Sequence, residues 1–271
     1  MTGLTLSLMM AGLIAQASPD AKAPGLHFVE RFEDADLQKR GFYDGDGKFT
    51  LADEAAEGKK SLQYRFETGK ILPSDSSGMR RLFAPGDSAY LRYRMKVTPN
   101  WKWTNRPYGP HLFLFMTTEN DRYHGPASSR LTTYVEPVNG KLRLAAQDIQ
   151  NKNAPHGLTQ GPLRGGYNGM FYDSEDVLFD DGEWHLIEAY FKLNTLNKAA
   201  DQPNADGIAQ AWVDGKLVID RKDVVYRSTD YPEMKFNQFL LLPYFHHGVP
   251  NEQTMWIDDL AVGVERPAGQ P

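Results

Sequence analysis

The 271-residue chain contains no cysteine. Disulfides, thiolate nucleophiles and cysteine-ligated zinc are therefore excluded. It also lacks a basic excess: 30 Lys and Arg stand against 35 Asp and Glu, a formal net charge of −5. No field is available to gather nucleic acid or an anionic membrane, and neither partner is expected. A polyanionic substrate would need a local cationic groove inside an acidic shell. No apolar run is long enough to span a bilayer. The N-terminal stretch MTGLTLSLMMAGLIAQA carries no charge and joins an apolar run to Ala15-Gln16-Ala17, an A-x-A pattern. This predicts a signal peptide over 1–17 and a mature domain over 18–271. With no cysteine, export points to a secreted or periplasmic bacterial protein. Helix signals are scarce too: only 52–58 and 73–81 could hold a turn or two. Nothing calls for an organic cofactor.

What is present is a period-two pattern. AYLRYRMKV (89–97) sets Leu91, Tyr93, Met95 and Val97 on one face and Tyr90, Arg92, Arg94 and Lys96 on the other. EWHLIEAYFKLNT (183–195) alternates Ile187, Ala189, Phe191 and Leu193 with Glu188, Tyr190, Lys192 and Asn194. HLFLFMT (111–117) is apolar on both faces, as a buried strand would be. Asn139-Gly140 and Asp214-Gly215 mark two hairpins within 131–149 and 207–221. KSLQYRF (60–66), FNQFLLLPYF (236–245) and TMWIDDLAVG (254–263) are further strands. Many strands and few helices predict an all-β sandwich of two antiparallel sheets in a single domain. The polar stretches 98–110 and 150–182 read as loops, the second suited to wall a cleft. The 13 Tyr and 5 Trp suit sugar-stacking surfaces as well as core.

The run YFKLNT and then DGIAQAWVDGKLVIDRKDVVYR, within 190–227, resembles a signature of jelly-roll polysaccharide lyases of the alginate-lyase and glucuronan-lyase type. There, a strand ending in Asn-Thr leads through a loop to a D-G and then a W-V-D-G hairpin. LHFVERFEDADL resembles their first strand and WIDDLAVG their last. The resemblance spans roughly residues 26–264 as a fold, and its motifs specify fold more than activity. It implies a concanavalin A-like β-jelly-roll, with an acidic polysaccharide or oligosaccharide cleaved by β-elimination in a concave-sheet groove. The chain departs from those lyases at one place. Their penultimate strand ends in an aromatic followed by Gly-Gly, where this chain has Phe245-His246-His247-Gly248.

β-Elimination from a uronic acid requires a neutralised carboxylate, a base for the C5 proton and an acid for the leaving oxygen. Arg92 or Arg94 is expected to neutralise the carboxylate through its guanidinium fork. His111, Tyr244 and His246 are the expected base and acid; alternation puts Tyr244 and His246 on one face and His247 on the other. Arg143, Gln147, Tyr190 and Lys192 are the expected substrate contacts, since each pair shares a face. Each residue has an ordinary structural alternative. The arginines could form a solvated outer face, Tyr190 and Lys192 a salt-bridged row, and the histidines hydrogen-bonded strand termini. The site as drawn requires Arg94, His111 and Tyr244 on one sheet.

Glu33 and Asp34 near the first strand, with Asp258 and Asp259 near the last, could hold structural calcium if those strands pair. Zinc at His246-His247 would need partners from His111, His124, His156 or His185, none at diagnostic spacing. A retaining glycoside hydrolase needs two close carboxylates, and Glu136, Glu183 and Glu188 lie singly. The competing reading from another class is a non-catalytic carbohydrate-binding jelly roll. A monomer is expected.

Overall fold

The computed structural model describes residues 25–44, 46–99, 101–105, 111–117, 131–147, 170–179, 181–227, 229 and 232–267. The expected signal peptide at 1–17 lies outside them. The strands are β1 Leu26–Glu30, β2 Thr50–Ala52, β3 Ser61–Phe66, β4 Met79–Gly86, β5 Ser88–Val97, β6 His111–Thr117, β7 Leu131–Val138 and β8 Lys141–Gln147. They continue as β9 Met170–Asp173, β10 His185–Lys192, β11 Leu196–Asn197, β12 Gln202–Pro203, β13 Gly207–Val213, β14 Lys216–Val224, β15 Phe236–Tyr244 and β16 Gln253–Gly263. The one helical piece among the described residues is a 3-10 turn, Leu37–Arg40, closed by Gly41 at φ 87°.

Neither helical candidate forms. Residues 79–86 become β4, because pairing with β15 overrides local preference. In 53–60 the backbone donors are engaged elsewhere: the Asp258 carboxylate accepts from Ala56 and Glu57, and Glu33 accepts from Lys59. The stretch 150–182, expected as loop, contributes β9.

An eight-stranded sheet runs β14-β13-β10-β5-β16-β3-β2, with β1 paired to the far end of β16. A six-stranded sheet runs β4-β15-β6-β7-β8-β9. Their inner faces build the core that alternation predicts. Tyr93 meets Phe113 at 4.1 Å between ring centroids, Phe28 meets Phe239 at 5.8 Å, and Phe115 meets Phe191 at 6.3 Å. Each buried Phe stabilises the sandwich by about 2 kcal/mol relative to exposure. Both expected hairpins form, with Asn139 and Gly140 at φ 52° and 82° and Asp214 and Gly215 at φ 50° and 79°. These are the mirror-image turns whose twist matches the flanking strands.

Candidate functional site

The Asn139-Gly140 turn sets the register of β7 on β8, so Glu136 opposes Arg143, Tyr134 opposes Ala145 and Thr132 opposes Gln147. On β15 and β6, Tyr244 opposes His111; on β8 and β9, Arg143 opposes Asp173. These registers lay one row of side chains across the outer face of the six-stranded sheet: Tyr244, His111, Glu136, Arg143 and Asp173. At about 4.8 Å per strand the row is about 19 Å long. Beside it lies an apolar patch of Leu114, Tyr134, Ala145, Leu240 and Leu242. Beyond that come Gln238, Thr132 and Gln147. Although this is an outward face, Thr132, Tyr134, Glu136, Gln147 and Gln238 are all buried. Buried polar groups require partners, and several find them within the face. Tyr134 donates to Gln147 Oε1 at 3.1 Å, and Gln238 bonds to Tyr43 at 2.7 Å and Arg80 at 3.2 Å.

His111 and Tyr244 stand together in that row. The Nδ1 of His111 is hydrogen-bonded to Glu136, and its ring lies 4.9 Å from Tyr134 and 6.0 Å from Tyr244. Burial disfavours the imidazolium, but the hydrogen bond and charge of Glu136 outweigh it and hold His111 above the ordinary histidine value. Among the described residues, neither His111 Nε2 nor the Tyr244 hydroxyl has a hydrogen-bond partner. The adjacent histidines do not part as alternation predicts: His247 leaves strand geometry at φ 72°, and the two rings meet edge to face at 4.0 Å between centroids. His246 sits 6.0 Å from the Tyr244 ring, with a buried Nδ1 that has no partner among the described residues. His247 is exposed. Gly248 completes the turn at φ 81°, where a Cβ would lie 2.3 Å from the Gly69 carbonyl oxygen.

Four expected site residues lie on the other side of the sandwich. Arg92, Arg94, Tyr190 and Lys192 occupy the outer face of the eight-stranded sheet, on β5 and β10. Arg92 pairs with Asp259 at 2.6 Å and Arg94 with Glu57 at 3.5 Å. A sandwich about 10 Å thick separates them from His111 and Tyr244. The expectation that Arg94 would join that pair is therefore overturned, along with the carboxylate role of Arg92 and the subsite roles of Tyr190 and Lys192. Arg143 and Gln147 do share the face of His111 and Tyr244. Arg143 is held by Asp173 through two bonds of 2.6 and 2.8 Å.

The strands expected to assemble calcium do pair, with Glu30 opposite Leu260. However, β16 is irregular between Asp258 and Ala261, with Asp259 at φ 46°, and the acids diverge. Asp258 and Glu33 accept from loop backbone, Asp34 pairs with Arg40 at 2.7 Å, and Asp259 pairs with Arg92. Carboxylates already facing N–H donors do not fit a calcium shell. Among the described residues, no group of three or more His, Asp or Glu converges. His124 and His156, weighed as zinc ligands, lie outside the described residues.

Sequence reasoning missed Glu136, Tyr134 and Asp173. Glu136 and Tyr134 were within reach: counting outward from Asn139-Gly140 places both on the face of Arg143 and Gln147.

No protein-family model and no curated protein matches the chain. Solved structures do match. The alginate lyase of a Chlorella virus is 15% identical with TM-score 0.62, over 86% of this chain and 98% of that one. An alginate lyase of Aplysia kurodai is 14% identical with TM-score 0.59, over 89% and 99%. The endo-β-1,4-glucuronan lyase of the fungus Trichoderma reesei is 14% identical with TM-score 0.52, over 89% and 92%. What the chain shares with them is its fold, a concanavalin A-like β-jelly-roll of two antiparallel sheets.

Proposed function

We propose that the chain is a polysaccharide lyase that cleaves an acidic, uronic-acid-containing polysaccharide by β-elimination on the outer face of its six-stranded sheet. The observation that carries this is the His111–Tyr244 pair, two proton-transfer groups side by side with Nε2 and the hydroxyl unengaged. Glu136 at Nδ1 favours the tautomer that keeps the Nε2 lone pair outward. His111 then removes the C5 proton as the C4–O bond breaks, a C4–C5 double bond forms, and Tyr244 protonates the leaving oxygen. Gln147, whose Oε1 accepts from Tyr134, keeps its amide N–H groups to donate to the substrate carboxylate. The fold shared with alginate and glucuronan lyases supports this reading. The row's two carboxylates, Glu136 and Asp173, are bound to His111 and Arg143, which disfavours a hydrolase.

One observation favours non-catalytic sugar binding instead. The guanidiniums of this face are already neutralised, Arg143 by Asp173 and Arg80 by Asp44 at 2.6 Å. Incubation with alginate, glucuronan, pectate and glycosaminoglycans separates the readings. Elimination produces an unsaturated uronate that absorbs in the ultraviolet, and the lyase generates it from at least one polymer. Binding without absorbance from any of them would leave the binder.

A further inference from the structure

Resting on that acidic-polysaccharide reading, we propose that the pocket at the β4 flank of this face is a uronate subsite in which Lys48 holds a substrate carboxylate. The cavity is about 370 Å³ and is lined in part by Asp46, Lys48, Leu72, Ser74, Ser77 and Leu242. That volume lies within the range of small-ligand sites. Leu242 belongs to the apolar patch of Leu114, Tyr134, Ala145 and Leu240, so the pocket adjoins the candidate site. Along β15 it is two residues, about 7 Å, from Tyr244. The wall at 69–72 is fastened to the turn after Tyr244. Phe245 N–H donates to Ile71 at 2.9 Å, Val249 to Lys70 at 3.0 Å, and Gly69 to Val249 at 2.8 Å.

Position and charge together mark Lys48. Arg80, Arg143, Lys216 and Arg221 each have a carboxylate within 3.3 Å; Lys141, on the face of Arg143, and Lys70, in the wall at 69–72, have none among the described residues, but neither lines the cavity as Lys48 does. The Lys48 ammonium instead donates to the Ser74 carbonyl at 2.7 Å and has no carboxylate partner among the described residues. Asp46, beside it, already accepts from the Lys48 backbone N–H at 3.0 Å. Lys48 therefore keeps N–H donors for an incoming carboxylate, its charge offset only through space by Asp46, while Leu72 and Leu242 offer apolar surface to the ring. The groove at the opposite flank, between β9 and β14, has the opposite character. Its volume is about 530 Å³, and it sets Asp173, Glu175, Asp176 and Asp220 against Lys216 and Arg221. A polyanion is repelled there. The acidic chain thus runs from His111 and Tyr244 toward Lys48.

The test is calorimetric binding of mannuronate, guluronate and glucuronate tetrasaccharides to the full chain, in a His111→Ala background that does not turn over. Lys48 is exposed, so its replacement disturbs no packing. Lys48→Ala weakens binding of the preferred tetrasaccharide about tenfold, and Lys48→Arg restores it to within about threefold. Lys216→Ala, on the opposite flank, leaves affinity within about twofold. Equal affinity of Lys48→Ala and its parent overturns the subsite, as does failure of all three sugars to bind. Elimination is read separately on the unmutated chain. Product with Lys48-independent binding sinks the subsite and leaves the lyase; Lys48-dependent binding without product does the reverse.

Discussion

The two outer faces of the sandwich are built by the same alternation but end differently. On the eight-stranded sheet, Arg92, Arg94 and Lys96 each meet an acid, Asp259, Glu57 and Glu54. The buried Glu188 accepts from Tyr90 at 2.6 Å and from Arg266 at 3.0 and 2.9 Å, while Arg266 lies 4.6 Å over Trp212. On the six-stranded sheet, His111 Nε2, the Tyr244 hydroxyl and His246 Nδ1 have no partner among the described residues. A polar face that serves stability closes its hydrogen bonds on itself. One that serves a ligand leaves some for it. Composition does not separate the two faces, nor does the bare count of unanswered groups, since Arg94 Nε on the eight-stranded sheet is one as well; what separates them is that the groups left over on the six-stranded sheet can transfer protons.

The sharpest attack on this contrast replaces one residue from each face. His111→Ala lowers the elimination rate by about 10²–10⁴-fold, the usual worth of a general base. Arg94→Ala on the opposite face changes it by less than about threefold. Both are read as initial rates of unsaturated product, with circular dichroism confirming the fold. Comparable losses in the two variants would erase the distinction. Next in size is Glu188→Ala, which leaves the Tyr90 hydroxyl buried without its acceptor and Arg266 without its acid. It costs about 3 kcal/mol in urea unfolding and leaves the rate per folded molecule unchanged.

Much of this was legible before any coordinates. Alternation in 89–97 and 183–195 gave the correct inward and outward residues, and both two-residue turns set their hairpins. Which sheet a strand joins was not legible, because β5 lies between β10 and β16, far away in the chain. Arg94 was paired in expectation with His111 for that reason alone. The first and last strands pair as anticipated, yet the irregularity at Asp258 to Ala261 sends their acids apart, and nothing in WIDDLAVG announces it. The double histidine was expected to diverge, but the left-handed backbone at His247 brings the two rings together. Its neighbour across the sheet, the Glu136 partner of His111, follows only once the Asn139-Gly140 register is counted and β6 is known to pair with β7.

A smaller effect tests how Glu136 acts. It holds His111 above the ordinary histidine value despite burial, so Glu136→Gln removes the charge that favours the imidazolium. The limb of kcat/KM that reports loss of the His111 proton then moves to lower pH. An unmoved limb would disconnect Glu136 from the reacting group.

His185 completes the contrast, because its pKa is also raised but it has no free nitrogen. Burial disfavours its charge, yet Asp214 and Asp181 raise its pKa by bonding Nδ1 at 2.8 Å and Nε2 at 3.0 Å. With both nitrogens engaged, it titrates as a structural clamp at the start of β10. A folded-state pKa above the unfolded one stabilises fully below the unfolded value, near 6.5, and that contribution is lost as pH rises through the folded value. Thermal unfolding of the unmutated chain should therefore lose more stability between about pH 6 and about pH 8 than His185→Gln does. The difference is less than about 1 kcal/mol, because the two acids are half exposed. The rate per folded molecule should follow His111 and ignore His185. If His185→Gln moved the pH profile of catalysis instead, an engaged histidine would be acting like a free one, and unengaged proton-transfer groups would no longer distinguish the two faces.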